Sequence, residues 1–315
     1  MKLINRIFTP NSILNNKENF VPINIGNRPR YATCTSVCWL DNNTLISLNL
    51  YGDKIVVYNF NEEKNEFTII QQIENKDGAE LSMSEHFSLS PCKKFLAVCG
   101  DVPKSCVNIY LIDKVINPAP IYTIKDKSLI HNVRFNPNGK YLSYITFDNK
   151  ESIKIFNIRH NNNEIEINNI LIRENEYKSI RAKAINFTKD GKFVVICYGT
   201  AAMDSKHSIN SMIVSYYFKE DGTIGGKISE IEGNISPEDI IFINDDNNIL
   251  ISDQANDKLI NYKFNKINGE IGSIEEVIEN PLASLSFPHG MSMSDDNKYL
   301  AVSNYGDDNF NVYKL

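Results

Sequence analysis

Short alternating runs of apolar and polar residues, separated by Asp, Asn and Gly, fill the chain from about residue 35 to its end. The last set is the clearest: Phe287 to Leu315 reads FPHGMSMSDDNKYLAVSNYGDDNFNVYKL. His289 to Ser294 alternates and ends in the turn Asp295-Asp296-Asn297. Tyr299 to Ser303 is an apolar run. A Gly/Asp turn follows, and Phe310 to Tyr313 alternates again. A side-chain period of two bounded by turn residues predicts short β-strands joined as hairpins. Helical periodicity is confined to two weak candidates, Ser12–Glu18 and Val277–Asn280.

The same triplet of strands recurs at intervals of roughly 50 residues. Its copies begin at Thr35, Glu85, His131, Lys183, Asp239 and His289. A fourth alternating segment lies between copies: Phe67–Ile73, Ile121–Ile124, Ile165–Ile172, Gly226–Ile231 and Ser273–Ile278. Four strands per repeat and six repeats predict an all-β, six-bladed β-propeller of four-stranded blades, with residues 1–315 as a single domain. The last copy stops after its third strand. Phe20–Ile25 (FVPINI) is the expected fourth strand, which would close the ring and cover two sheet edges. Trp39 is expected in the inter-blade core.

Aligned on the turn after the first strand, each copy starts with a polar residue: Thr35, Glu85, His131, Lys183, Asp239 and His289. The first strand of a blade lines the channel, so these six should form a ring at one mouth. Two readings stand: a functional ring, or ordinary polar capping of strand starts. On the functional reading, neighbouring blades pair Glu85 with His131 and Asp239 with His289. A carboxylate that orients an imidazole and raises its basicity suits general acid–base catalysis near neutral pH. Lys183 and Arg181 would hold a substrate anion or oxyanion. Thr35, Asn304 and Tyr305, on the same face, complete the expected substrate-binding set. Two histidines and two carboxylates could also bind zinc or iron, but His131 and His289 fall in opposed blades, which makes a compact metal site awkward; no cofactor is the leading expectation, with a divalent metal as the alternative. His86 is expected to pack between blades. An insertion from Thr200 to Asn210, with Asp204, Lys206 and His207, is either a lid or a tolerated surface loop.

The segment PHGMSMSDDNKYLAVSNYGDDNFNVYKL, with turns PNG at Pro137 and KDG at Lys189, resembles the repeat of the YVTN and lactonase-type β-propellers. The resemblance covers nearly the whole chain. It specifies the fold more than the chemistry; the ring at the mouth points to a small-molecule enzyme using acid–base chemistry, either lactone or ester hydrolysis or a cyclisation, isomerisation or elimination. Lactonase members of that family have seven blades, and six here is a departure. Six-bladed gluconolactonase-type propellers hold a divalent metal with a Glu, Asn and Asp set, where this chain has His and Lys. No GH…WD pattern supports the WD40 class.

Composition narrows the partners. A net charge of -6 and a pI near 5.5 leave no basic stripe for nucleic acid or an anionic membrane. Six cysteines without a CxxC pair read as reduced residues packed in strands. No run of about 18 apolar residues occurs, and the N-terminus lacks a secretory pattern, so a cytoplasmic protein is expected. A small-molecule substrate is the expected partner. The rival class is a non-catalytic propeller that acts as a protein-interaction scaffold.

Overall fold

A computed structural model describes residues 1–8, 23–25, 28–30, 34–50, 53–100, 105–161, 163–200, 210–279, 284–307 and 309–315. These residues build six antiparallel four-stranded blades. Blade 1 runs through Cys34–Trp39, Thr44–Asn49, Lys54–Asn61 and Glu66–Glu74. Blade 2 uses Ser84–Leu89, Phe95–Gly100, Cys106–Asp113 and Tyr122–Lys125, with Val115–Ile116 as an added short strand. Blade 3 comprises Ile130–Phe135, Tyr141–Thr146, Ile153–Asn161 and Glu164–Arg173. Blade 4 comprises Arg181–Phe187, Phe193–Gly199, Ser211–Phe218 and Ile224–Gly233, and blade 5 Pro237–Ile243, Asn248–Asp253, Lys258–Phe264 and Ile271–Ile278. Val277 therefore lies in a strand, not a helix. The single helical turn among the described residues is Asn75–Asp77. No helix there is long and apolar enough to cross a membrane.

Blade 6 is Pro288–Met293, Tyr299–Asn304 and Asn309–Lys314, and an N-terminal strand completes it as expected. The segment differs from the expected one. Lys2–Phe8 pairs with Asn309–Lys314, with Leu3 opposite Tyr313 and Ile7 opposite Phe310. Ile23–Ile25 instead pairs with Arg28–Arg30, and residues 20–22 lie outside the described set. The physical reason is in the two sequences. Leu3, Ile4 and Ile7 pack against the apolar clusters on the two sides of blade 6. Pro22 within FVPINI has no backbone N–H for the ladder.

Each blade presents two apolar faces and buries both against its neighbours. Six inter-blade cores result, one at every seam. The seam between blades 6 and 1 is rich in aromatic rings and contains Trp39, as expected. Phe310 meets the rings of Tyr58 at 5.2 Å and Phe67 at 6.0 Å, and Tyr299 packs on Phe60 at 5.2 Å. Offset aromatic contacts of this kind add to the burial term. Phe310→Ala should therefore cost about 3–5 kcal/mol of stability, read as a lowered midpoint in urea denaturation. None of the six cysteines is in a disulfide.

Candidate functional site

The innermost strand of every blade carries a register shift near its start. The shifts fall at Cys34/Ser36, Ser84/His86, Ile130/Asn132, Ala182/Ala184, Pro237/Ile240 and Pro288/Met291. A bulge leaves one residue unpaired and re-aims its side chain. In blades 1 to 4 that residue is Thr35, Glu85, His131 and Lys183, four of the six expected ring positions. In blade 6 it falls in the pair His289-Gly290. Gly290 is required there: a Cβ would lie 2.7 Å from Ser36 Oγ and 2.8 Å from Ser36 Cα.

Blade 5 departs from the expectation by one residue. Glu238, not Asp239, joins the ring. The turn of blade 5 places Asn244, Asp245 and Asp246 at φ of 53°, 53° and 60°. The turn has the same length as in blade 6: four residues separate Ile243 from Asn248, as four separate Ser294 from Tyr299. Matching the Asp-Asp-Asn letters at 245–247 to those at 295–297 therefore lands one residue late.

Glu238 is the hub of the mouth. His131 Nε2 donates to Glu238 Oε2 at 2.7 Å, and Lys183 Nζ lies 2.9 Å from Oε1. His289 Nε2 stands 3.7 Å from Glu238 Oε2 and 3.7 Å from Glu85 Oε2. All except Glu85 are buried. Burial alone would raise the Glu238 carboxyl, but Lys183 and His131 outweigh it and hold it down to about 2. An ionised carboxylate only accepts, so the His131 tautomer is Nε2–H. Burial pushes His289 down to about 3 against the pull of Glu238. His131 is also lowered, by burial first and then by Lys183. Two neutral imidazoles thus flank one paired carboxylate.

The expected dyads are rearranged. Glu85 faces His289 rather than His131, and the two histidines, expected to be far apart, sit with ring centroids 5.8 Å apart. A six-bladed channel is narrow enough for long side chains from opposed blades to meet. Asp239 points to the layer below. Its Oδ1 accepts from Arg134 Nη2 at 2.6 Å and its Oδ2 from Met291 N at 2.8 Å. His86 lies in the same layer, 3.4 Å from Asp239 Oδ2, so it faces the channel and not an inter-blade seam.

Other expected residues divide by what they touch. Thr35 donates its hydroxyl to the Ser84 carbonyl at 2.9 Å, which ties blade 1 to blade 2. Asn304 accepts from Ser286 N at 3.1 Å and so braces its own loop. Tyr305 stacks on the His289 ring, 5.2 Å between centroids and 21° between planes. Arg181 is exposed at the rim and lines a cleft of 170 Å³ with Asn149, Lys178, Ser179 and Thr200. Phe147 had no sequence signal, yet it packs on His131 at 5.1 Å and lies beneath Arg181 and Lys183 at 5.4 and 5.6 Å. Residues 201–209 of the insertion, with Asp204, Lys206 and His207, and the loop residues 51–52 lie outside the described set.

His131, Glu238 and His289 offer ligand atoms that all lie within 4.8 Å of one another. The cluster combines neutral lone pairs, a fixed anion and adjacent cations. That set can move a proton, hold an oxyanion or hold a divalent ion.

Solved structures share the fold at low identity. The hydrazine synthase of Kuenenia stuttgartiensis is 11% identical over 94% of this chain and 99% of its own, with a TM-score of 0.59. The Cps50 (Swd1) β-propeller domain of Myceliophteria thermophila is 11% identical over 93% and 99%, TM-score 0.55. The periplasmic gluconolactonase of Pseudomonas aeruginosa is 12% identical over 75% and 82%, TM-score 0.50. No curated protein matches the chain. The family model described as lactonase, 7-bladed β-propeller matches residues 39–287, which include Glu85, His131, Lys183 and Glu238 and end just before His289. With most of its length matched, this chain belongs to the lactonase-type β-propeller family, in a form whose described residues make six blades.

Proposed function

We propose that the chain hydrolyses a small lactone or ester carrying an anionic group, at the mouth ringed by His131, Lys183, Glu238 and His289. The observation that carries this reading is the convergence of two neutral, buried imidazoles on one carboxylate beside a lysine. Family membership supports a lactone as the substrate class. In the proposed step His289 takes a proton from water as its oxygen adds to the carbonyl carbon. The proton returns to the ring oxygen as the C–O bond breaks. Glu238 stabilises the transient imidazolium, and His131 keeps that carboxylate oriented. Lys183 faces the developing oxyanion, and Arg181 at the rim draws in the substrate anion. Run backwards, the same groups would close a hydroxy acid into a lactone, which covers the cyclisation reading.

The test is hydrolysis of a lactone and ester panel by purified protein, followed by proton release, with an untargeted metabolite screen for substrates outside the panel. His131→Ala and His289→Ala should each remove turnover while the melting curve stays cooperative. Unchanged turnover in both variants would remove the proposal.

A further inference from the structure

We infer that His131, Glu238 and His289 form a binding site for one divalent transition-metal ion, best suited to zinc. Three observations carry it. The first is the donor set: one nitrogen from each imidazole and one carboxylate oxygen, within 4.8 Å of each other and all buried. Two histidines and a glutamate, with a fourth position left open, are a ligand set that catalytic zinc uses. The second is the condition of His289. Its ring is 2% exposed, its Nδ1 has no hydrogen-bond partner among the described residues, and its Nε2 is 3.7 Å from both carboxylates. Burying an imidazole without polar contacts costs free energy unless something else takes a lone pair, and a metal ion does that. The third is the support behind the ligands. Lys183 holds the outer oxygen Oε1 of Glu238, leaving Oε2 for the ion, while Tyr305 and Phe147 stack against the two rings. Ligands oriented by outer contacts of this kind are a hallmark of built metal sites.

Charge sets the consequence. Glu238 and Lys183 cancel, and Glu85 offsets one of the two charges a divalent ion brings. A hydroxide or a substrate anion on the open position would neutralise the other. On binding, the metal takes the Nε2 lone pair of His131, and the proton now on Nε2 moves to Nδ1. The binding claim is independent of the hydrolase reading. Its catalytic part rests on that reading: a metal-bound water would replace the His289-activated one as nucleophile, with its pKa brought to about 7.

The experiment titrates chelator-dialysed protein with zinc chloride by calorimetry and repeats it with cobalt(II) under visible spectroscopy. One zinc per chain is expected, with the intense visible bands of a four-coordinate cobalt site. His289→Ala and His131→Ala should each weaken zinc binding by roughly 100-fold or more, and the surface variant His160→Ala should leave it unchanged. If His131→Ala fails to fold, His289→Ala decides, because His289 Nδ1 has no hydrogen-bond partner among the described residues and its Nε2 is 3.7 Å from each carboxylate. No zinc uptake, or equal affinity in wild type and His289→Ala, overturns the inference. Zinc binding without lactone hydrolysis would sink the hydrolase reading and leave the metal site standing. Hydrolysis by protein that takes up no zinc would do the reverse.

Discussion

Glu238→Gln should lower turnover by about two to four orders of magnitude while leaving a folded, less stable propeller. The substitution keeps the side-chain shape and removes only the charge. That charge is the single anion shared by His131 at 2.7 Å, Lys183 at 2.9 Å and His289 at 3.7 Å. Without it, His131 loses the carboxylate that stabilises its protonated form, His289 keeps only Glu85 at 3.7 Å, and a metal would lose its one anionic protein ligand. Stability falls as well, because Lys183 is left buried beside a neutral amide. Glu85→Gln is the informative contrast. Glu85 is nearer to solvent and 3.7 Å from His289, so a loss of about tenfold or less is expected. The measurement is kcat on the best substrate of the panel, paired with a thermal melt. Wild-type turnover in Glu238→Gln would show that the chemistry lies elsewhere.

Asp239→Ala should be among the most destabilising single changes in the chain, although Asp239 faces no substrate in the proposed reaction. Its carboxylate is fully buried and accepts from Arg134 Nη2, Met291 N and Ile240 N at 2.6, 2.8 and 2.9 Å. It joins blades 3, 5 and 6 across the channel. Removing it strands a guanidinium and two backbone donors, a loss of about 3–5 kcal/mol. The melting temperature should fall by on the order of 5–10 °C. The pH dependence carries a sign of its own. Burial would raise the Asp239 carboxyl, but Arg134 and His86 outweigh it and hold it at about 2, below the ordinary 3.8. A depressed folded-state pKa contributes stability that is fully present above the unfolded value and fades as pH falls through the folded one. The gap between wild type and variant should therefore be constant above about pH 5 and narrow by about 2 kcal/mol as pH falls toward 2. A gap below about 1 kcal/mol at pH 7 would contradict the pairing described.

The six-blade architecture was legible because its signals are local. Period-two runs, Asn-Gly and Asp-Asp turns and a repeat of about 50 residues depend only on near neighbours in the chain. His131, Lys183, Glu85 and His289 were legible for the same reason, since each starts an inner strand at a fixed distance from its turn. Three things were not. Only Phe20–Ile25 reads as the strand that closes the ring, and Lys2–Phe8 takes that place because its apolar residues pack against both sides of blade 6. Phe147 sits in a polar loop, and it meets His131 because its backbone N–H donates to the Leu129 carbonyl just before the first strand of blade 3, a long-range pairing that no local spacing encodes.

The choice between Glu238 and Asp239 marks the boundary most clearly. The residues themselves determined that blade 5 would present a carboxylate near the channel, because both adjacent positions are acidic. Tertiary structure decided which one faces the mouth. Matching Asp245-Asp246-Asn247 to Asp295-Asp296-Asn297 slips the count by one against the strand register, and a slip of one residue along a strand sends a side chain to the other side. It also decided the partners. His131, Lys183, Glu238 and His289 come from four blades, and their separations follow from the channel width, which no single repeat encodes.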